Sequence, residues 1–300
     1  MAKKHRFEES KFVVEPEKSL DLAKRTSKAG KELVDKQIAM EALAADVTSL
    51  QEQQAVLYAS KQYSLLIIIQ GMDAAGKDGT VRHVMGAINP QGCRVYSFGP
   101  PNSTEVKHHF LWRPSPYLPE KGMISLFNRS YYEEVLAVRV HPKFLEPQQI
   151  PGLKIDKPKS LEKLWEQRYK EIRTFERALF NNGTLVLKFY LHVSRDEQRS
   201  RLLERLKDPE KYWKFNPRDL EERKLWKEYN TAFEECMEST STEEAPWFII
   251  PADDKWYARA AIADIIATRL EKLGLKYPDV TEEQKAEFAT YIQQLEHEVE

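Results

Sequence analysis

The 300-residue chain has only two cysteines, Cys93 and Cys236, too few and too far apart for a disulfide framework or a zinc site. A reducing cytoplasm is the compartment that fits. Long apolar runs are missing too, since no stretch approaches the roughly 18 residues that cross a bilayer. The opening Met1-Ala2-Lys3-Lys4-His5-Arg6 lacks the apolar segment of a secretory signal. Neither membrane spanning nor export is expected. Charge of one sign is also absent: Lys and Arg total 46 against 47 Asp and Glu. Any surface for a polyanion must therefore be a local groove rather than a global field. There is no internal repeat, no low-complexity tract and no Ser/His/Asp arrangement for acyl chemistry.

What is present is a phosphate cradle. Leu65-Leu66-Ile67-Ile68-Ile69 reads as a fully buried strand. It leads through Gly71-Met72-Asp73-Ala74-Ala75-Gly76-Lys77-Asp78-Gly79-Thr80 into the helix-compatible Val81-Arg82-His83-Val84-Met85. Gly71 and Gly76 stand at the G-x-x-x-x-G-K spacing, where the backbone can curl so that several N–H groups and a helix N-terminus face one anion. Lys77 supplies the point charge. A usual Walker A loop continues with Ser or Thr as a Mg²⁺ ligand, whereas this chain has Asp78 there and a second carboxylate, Asp73, inside the loop.

At 41% hydrophobic, the chain can bury one large α/β domain with decorations. Residues 1–26 read as an arm, and the apolar positions Leu33, Met40, Leu43, Val47, Leu50 and Leu57 predict a helix from about Ser27 to Ser60. Its seam packs either along its own domain, the reading favoured here, or against another subunit. Cys93 to Phe98 predicts a second strand, Glu105 to Trp112 a helix, and Gly122 to Phe127 a third strand. Asn128-Arg129-Ser130-Tyr131-Tyr132-Glu133-Glu134 then falls at the C-terminal strand end, where open α/β sheets bind ligands. The Pro- and Lys-rich residues 142–160 mark an excursion before a helix over Leu161 to Asn181. A fourth strand follows, Thr184 to Leu191, then a helix opened by a capping box of Ser194 and Glu197. Residues 208–220 break the chain twice with proline and gather cations around aromatics, which reads as a lid. Trp247 to Ile250 is a fifth strand, Asp253 to Leu273 a closing helix, and Thr281 to Glu300 an acidic terminal helix. Alternating strands and helices argue for a parallel, doubly wound sheet.

Three separated motifs, the loop at 71–80, Phe127-Asn128-Arg129-Ser130-Tyr131-Tyr132-Glu133-Glu134, and Asp208-Pro209-Glu210-Lys211-Tyr212-Trp213-Lys214-Phe215, carry a resemblance to the polyphosphate kinase 2 family over roughly residues 11–276. The resemblance implies a P-loop kinase-like three-layer α/β/α sandwich with a five-stranded parallel sheet and a helical lid. The arm and long helix would take residues 1–60, the core 61–276 with its lid near 206–223, and a terminal helix 277–300. It also implies phosphoryl transfer from inorganic polyphosphate to nucleotides. Asn128 followed by Tyr-Tyr-Glu looks like the subgroup that accepts nucleoside monophosphates as well as diphosphates, so AMP, ADP and their guanine counterparts become candidate acceptors. The chain departs from the family's usual pattern at Gly99-Pro100-Pro101, where a basic residue often stands.

The chemistry assigns roles. Because the attacking group is already an ionised phosphate oxygen, no general base is needed, and catalysis reduces to positioning and electrostatics. Lys77 and the loop residues Gly71, Ala74, Ala75, Gly76, Gly79 and Thr80 would hold phosphates. Asp73 and Asp78 would hold Mg²⁺, with Mn²⁺ as a substitute; for Asp78 the alternative is favourable placement in a helix's first turn. Arg129 can engage phosphate bidentately or form a structural ion pair. Asn128 would tune acceptor choice, and Glu133 joins the substrate site. Arg201, Arg205, Lys211, Lys214 and Arg218 would close over the phosphates and exclude water, or remain solvated. Tyr131 and Tyr132 either stack on a base or pack, with packing favoured; His108 and His109 are surface or packing residues.

Two other classes compete. An ATP-dependent nucleoside monophosphate kinase shares the loop and lid, but Asp73 and Asp78 argue against it. A non-catalytic binder of polyphosphate or RNA is disfavoured, for RNA, by the near-neutral charge and the lack of an aromatic-basic sheet face. A homo-oligomer, dimer or tetramer, is expected from the long amphipathic helices.

Overall fold

The structure, a computed structural model, describes residues 7–31, 33 and 35–298. Five strands form one parallel sheet in the order β2-β3-β1-β4-β5: β1 (Ser64–Gly71), β2 (Cys93–Ser97), β3 (Ile124–Asn128), β4 (Thr184–His192) and β5 (Trp247–Pro251). β1 is central for a reason legible in its composition. Leu65 to Ile69 offer no polar side chain to solvent, and each is at most 1% exposed. Burial of each such side chain contributes roughly 1.5–3 kcal/mol, which only a strand covered on both faces can realise in full.

The helices are α1 (Lys36–Ser60), α2 (Lys77–Met85), α3 (Ala137–Val140), α4 (Pro158–Asn181), α5 (Arg195–Lys207), α6 (Arg218–Lys224), α7 (Trp226–Thr240), α8 (Lys255–Glu271) and α9 (Glu282–Glu296). α1 and α2 pack on α8, while α4 packs on β4 and α7. The result is the expected three-layer α/β/α sandwich of P-loop kinase type. In the β1–β3 register Ile69 lies beside Asn128. The loop after β1 and the end of β3 therefore emerge side by side at the C-terminal edge of the sheet.

The N-terminal arm closes the other edge. Val14 N–H donates to Trp247 O at 2.8 Å and Ile249 N–H to Phe12 O at 2.8 Å, so the arm covers the otherwise open hydrogen-bonding edge of β5. Phe12 and Val14 are buried in the process.

Several boundaries differ from those the sequence predicts. α1 begins at Lys36, capped by the Asp35 side chain on the N–H groups of Gln37 and Ile38, and residues 27–31, 33 and 35 are not helical. Its buried face is Ala39, Ala42, Asp46, Leu50, Gln54 and Leu57, whereas Met40 is 52% exposed. The small alanines allow close approach to α8, which an apolar-only pattern does not register. Residues 105–112 hold a single short 3-10 turn, Glu105–Lys107, instead of a helix. The capping box at Ser194 is half made: Ser194 Oγ accepts from Glu197 N–H at 3.2 Å, but the Glu197 carboxylate turns to Arg201 at 2.7 Å. α7 has no counterpart among the elements expected from the sequence. In the terminal helix, Val299 and Glu300 lie outside the described residues, as do Met1 to Arg6.

Candidate active site

The loop after β1 turns on two left-handed residues, Ala74 at φ 61° and Gly76 at φ 108°. Gly76 caps α2, and only glycine adopts that φ without strain. The first turn of α2 carries Lys77, Asp78 and Gly79, whose N–H groups have no partner within the helix, and its dipole is positive at that end.

Lys77 is buried, and Nζ donates to Gly71 O at 2.6 Å and Met72 O at 3.1 Å. The ammonium thus rests on its own loop. Burial pulls its pKa down, with nearby Arg129 acting in the same direction and Asp73, Glu133 and Asp78 opposing. A cation so placed gains most when anionic oxygens replace the two carbonyls.

The two carboxylates are held from the end of β3 and the residue after it. Arg129 Nη2 meets Asp73 Oδ1 at 2.9 Å, and Asn128 Nδ2 donates to Asp78 Oδ1 at 2.8 Å. Arg129 has φ 63°, a costly conformation for a side-chain-bearing residue and of the kind that clusters at functional sites. Burial alone would lower its pKa, but Glu133 and Asp73 outweigh it and hold the guanidinium charged. Glu133 is itself raised by burial, against the pull of Arg129 and Lys77. Asn128 Oδ1 is buried with no hydrogen-bond partner among the described residues.

That orphaned oxygen, one oxygen left on each aspartate by these contacts, and the adjacent loop make a hard-oxygen set. It suits Mg²⁺, which keeps several waters and uses one or two carboxylates together with substrate phosphates. Among the described residues no group of three His, Cys, Asp or Glu side chains forms a self-sufficient metal site.

A cavity of about 590 Å³ opens beside this cluster. Asp73, Arg129 and Glu133 line it, together with Arg218 and Asp219 of α6, and Phe98, Val106, Phe110, Leu136 and Val138 supply apolar wall. α6 is tied to the loop by a relay. Arg223 Nη1 donates to Gln198 Oε1 at 2.7 Å, and Gln198 Nε2 donates to the Asp73 carbonyl at 2.9 Å. A second tie runs from His141 Nε2 and the Tyr229 hydroxyl, both on Glu222 Oε2, at 2.7 and 2.8 Å. Arg113, also on the wall, sits over the Phe98 ring. Gln198, Glu222, Arg223 and Arg113 are not singled out by the sequence; no motif spacing marks them, and the partners Asp73 and His141 lie far away in the chain.

The predicted lid cations separate into distinct groups. Arg218 lines the cavity, and Arg205 pairs with Asp219 at 3.2 Å. Lys211 is held at the surface by Glu204 and Asp208, and Lys214 lies over the 78% exposed Trp213. Arg201 is buried behind the loop. Its Nη1 donates to Ala74 O and Ala75 O, its Nη2 to Ala252 O and Asp253 O, and its Nε to Glu197. With these donors engaged, it braces the loop rather than reaching over it. Thr80 is buried, its N–H on Gly76 O.

Tyr131 and Tyr132 pack. Both hydroxyls donate to Glu176 Oε1, at 2.7 and 2.8 Å, and Lys188 Nζ reaches Glu176 Oε2 at 2.6 Å. This buried network anchors the turn that presents Glu133. His108 stacks on Trp112 near the surface.

A parallel sheet with a glycine loop at its central strand, a lysine in that loop and a helical segment tied over the crevice defines a P-loop phosphotransferase. The polyphosphate kinase 2 family pattern matches residues 33–278, and the chain belongs to that family. It is 46% identical to the ADP-polyphosphate phosphotransferase of Rhodopseudomonas palustris, over 95% of this chain and 97% of that one. It is 48% identical to the AMP/ADP-polyphosphate phosphotransferase of Meiothermus ruber, over 81% of this chain and 85% of the relative. The crystal structure of polyphosphate kinase 2 from Arthrobacter aurescens superposes with a TM-score of 0.82 at 37% identity, covering 94% and 99% of the two chains.

Proposed function

We propose that this protein transfers phosphoryl groups from inorganic polyphosphate to ADP and AMP, and to the corresponding guanine nucleotides, with Mg²⁺ or Mn²⁺. The observation that carries the reading is the pairing of both carboxylates with the C-terminal end of β3 and the residue that follows it, Asp73 with Arg129 and Asp78 with Asn128, beside Lys77 and the cavity. The names borne by the Rhodopseudomonas and Meiothermus relatives support it.

In this mechanism an ionised oxygen of the acceptor phosphate attacks the terminal phosphorus of the donor. The P–O bond to the rest of the chain breaks, and the shortened polyphosphate leaves with the electron pair. No proton has to move, so no base is required. Lys77 exchanges its loop carbonyls for phosphoryl oxygens, and Arg129 offers its guanidinium to the same charge. Asp73 and Asp78 would hold the metal, which supplies neutralisation of charge between two polyanions. α6 and its ties exclude water that would otherwise take the phosphoryl group. The exposed apolar stripe Phe288, Tyr291, Ile292 and Leu295 on α9 supports a dimeric or tetrameric assembly, and the two free thiols suit a cytoplasmic setting.

The test is a paired assay of AMP, ADP and their guanine counterparts against polyphosphate alone and ATP alone, with and without chelator. Turnover with polyphosphate that chelator abolishes and Mg²⁺ restores is the expected result. Turnover with ATP only would reject the assignment.

A further inference from the structure

Arg259, in α8, presses against the first turn of α2. Its Nη2 lies 3.1 Å from where a Cβ on Gly79 would stand, so the missing side chain at Gly79 admits a cation beside the phosphate-loop helix. Arg82 follows Gly79 by three residues and Lys255 precedes Arg259 by four, spacings that place side chains on one helix face. α2 packs against α8. Three cations therefore gather along the junction of the two helices, and none of them lines the cavity described above.

The two arginines lack counter-charges. Among the described residues neither Arg82 nor Arg259 has an ion-pair partner, and Lys255 reaches only Glu204, at 3.9 Å. Lys211, by contrast, is held between two carboxylates. Burial lowers the pKa of Arg259, with Arg82 and Arg201 adding repulsion, and burial lowers that of Lys255, with Arg201 and Arg259 adding to it against the pull of Glu204 and Glu197. A near-neutral chain that leaves like charges repelling one another next to its phosphate loop has arranged for an anion to relieve them.

We propose that Arg82, Lys255 and Arg259 form a track for the distal phosphates of a polyphosphate chain whose end lies in the loop. The cavity, with Arg129 and Glu133, is left for the nucleotide. This rests on the reading of polyphosphate as donor. Arg201 contributes by fastening Ala252 and Asp253, just before α8, to Ala74 and Ala75 of the loop. The track and the loop are thus held as one rigid surface.

The experiment compares wild type with Arg259→Gln, Arg82→Gln and the double variant, reading KM for long-chain polyphosphate, KM for ADP and the inhibition constant of tripolyphosphate. Each lost charged contact should raise KM for the long donor roughly tenfold, while the ADP and tripolyphosphate constants stay within about twofold. The salt dependence of the long-donor KM should flatten. Unchanged long-donor KM in all variants, or ADP and tripolyphosphate constants rising by the same factor, overturns the track. Should Arg259→Gln lower the melting temperature, exposed Arg82 decides. Calorimetric titration of long-chain polyphosphate into wild type and variants reads the track without turnover. Absence of polyphosphate turnover in wild type, with the binding difference intact, would therefore count against the donor role and not against the track.

Discussion

The side-chain amide of Asn128, at the end of β3, donates to the carboxylate of Asp78, in the first turn of α2, across 2.8 Å. Position 128 thus sets a neutral hydrogen-bond donor, rather than a further carboxylate, against Asp78. Its own Oδ1 is buried and unpartnered among the described residues.

Asn128→Asp exchanges that hydrogen bond for like-charge contact with Asp78. A hydrogen bond to a charged group is worth about 1.5–3 kcal/mol, so the ratio of kcat/KM for AMP to that for ADP should shift by tenfold or more. Steady-state kinetics with both acceptors at fixed polyphosphate measures it. An unchanged ratio would remove Asn128 from acceptor choice.

Lys77→Met deletes the cation that rests on Gly71 and Met72. Turnover should drop by roughly 10²–10³, with a smaller loss of melting temperature, because methionine fills a similar volume but leaves the two loop carbonyls without their donor. Retained binding of polyphosphate by calorimetry, with lost turnover, also rules out a purely storage role.

Arg201→Met should act on stability first. It strands four backbone carbonyls and Glu197, costing roughly 2–4 kcal/mol in urea unfolding. Arg201→Lys should recover little, since one ammonium cannot span both carbonyl pairs. Were Arg201 instead a free phosphate ligand, Arg201→Met would raise donor KM and leave unfolding untouched.

His192 gives a pH dependence. Burial depresses its pKa below 6.5, against the carbonyl of Arg25. Between the depressed folded value and 6.5, the unfolded chain binds more protons than the folded one, so stability rises with pH across that window and is lost as pH falls through it. The melting temperature should therefore fall on acidification below about 6.5, near the ordinary histidine pKa. His192→Gln should flatten that part of the profile.

Much of this was legible in the chain. The run Leu65 to Ile69 could be satisfied only at the centre of a covered sheet, and Gly76-Lys77 only as a phosphate loop. The third apolar run ends at Phe127, which puts Asn128-Arg129 at a strand end. What escaped is explained by side chains with two options. Glu197 could complete a capping box or pair with Arg201, and the nearby guanidinium took it. Residues 105–112 carry a helical pattern, yet Pro100, Pro101 and Pro114 flank them, and only a single turn forms. α1 stops short of Ser27 because Asp35 caps it, and its alanine face has little hydrophobic contrast to announce itself.

The order of residues specifies the chemistry unaided: a phosphate loop with two carboxylates, a lysine, and an Asn-Arg pair, in a chain whose alternating strands and helices argue for a parallel sheet. Which group holds which was settled in three dimensions. Arg201 and Arg218, both cations expected to close over the phosphates, came to brace the loop and to line the cavity respectively, because one is enclosed by backbone carbonyls and the other is left facing open space. Hydrogen-bond partners far apart in the chain are chosen by distance and burial, and neither is written in local spacing.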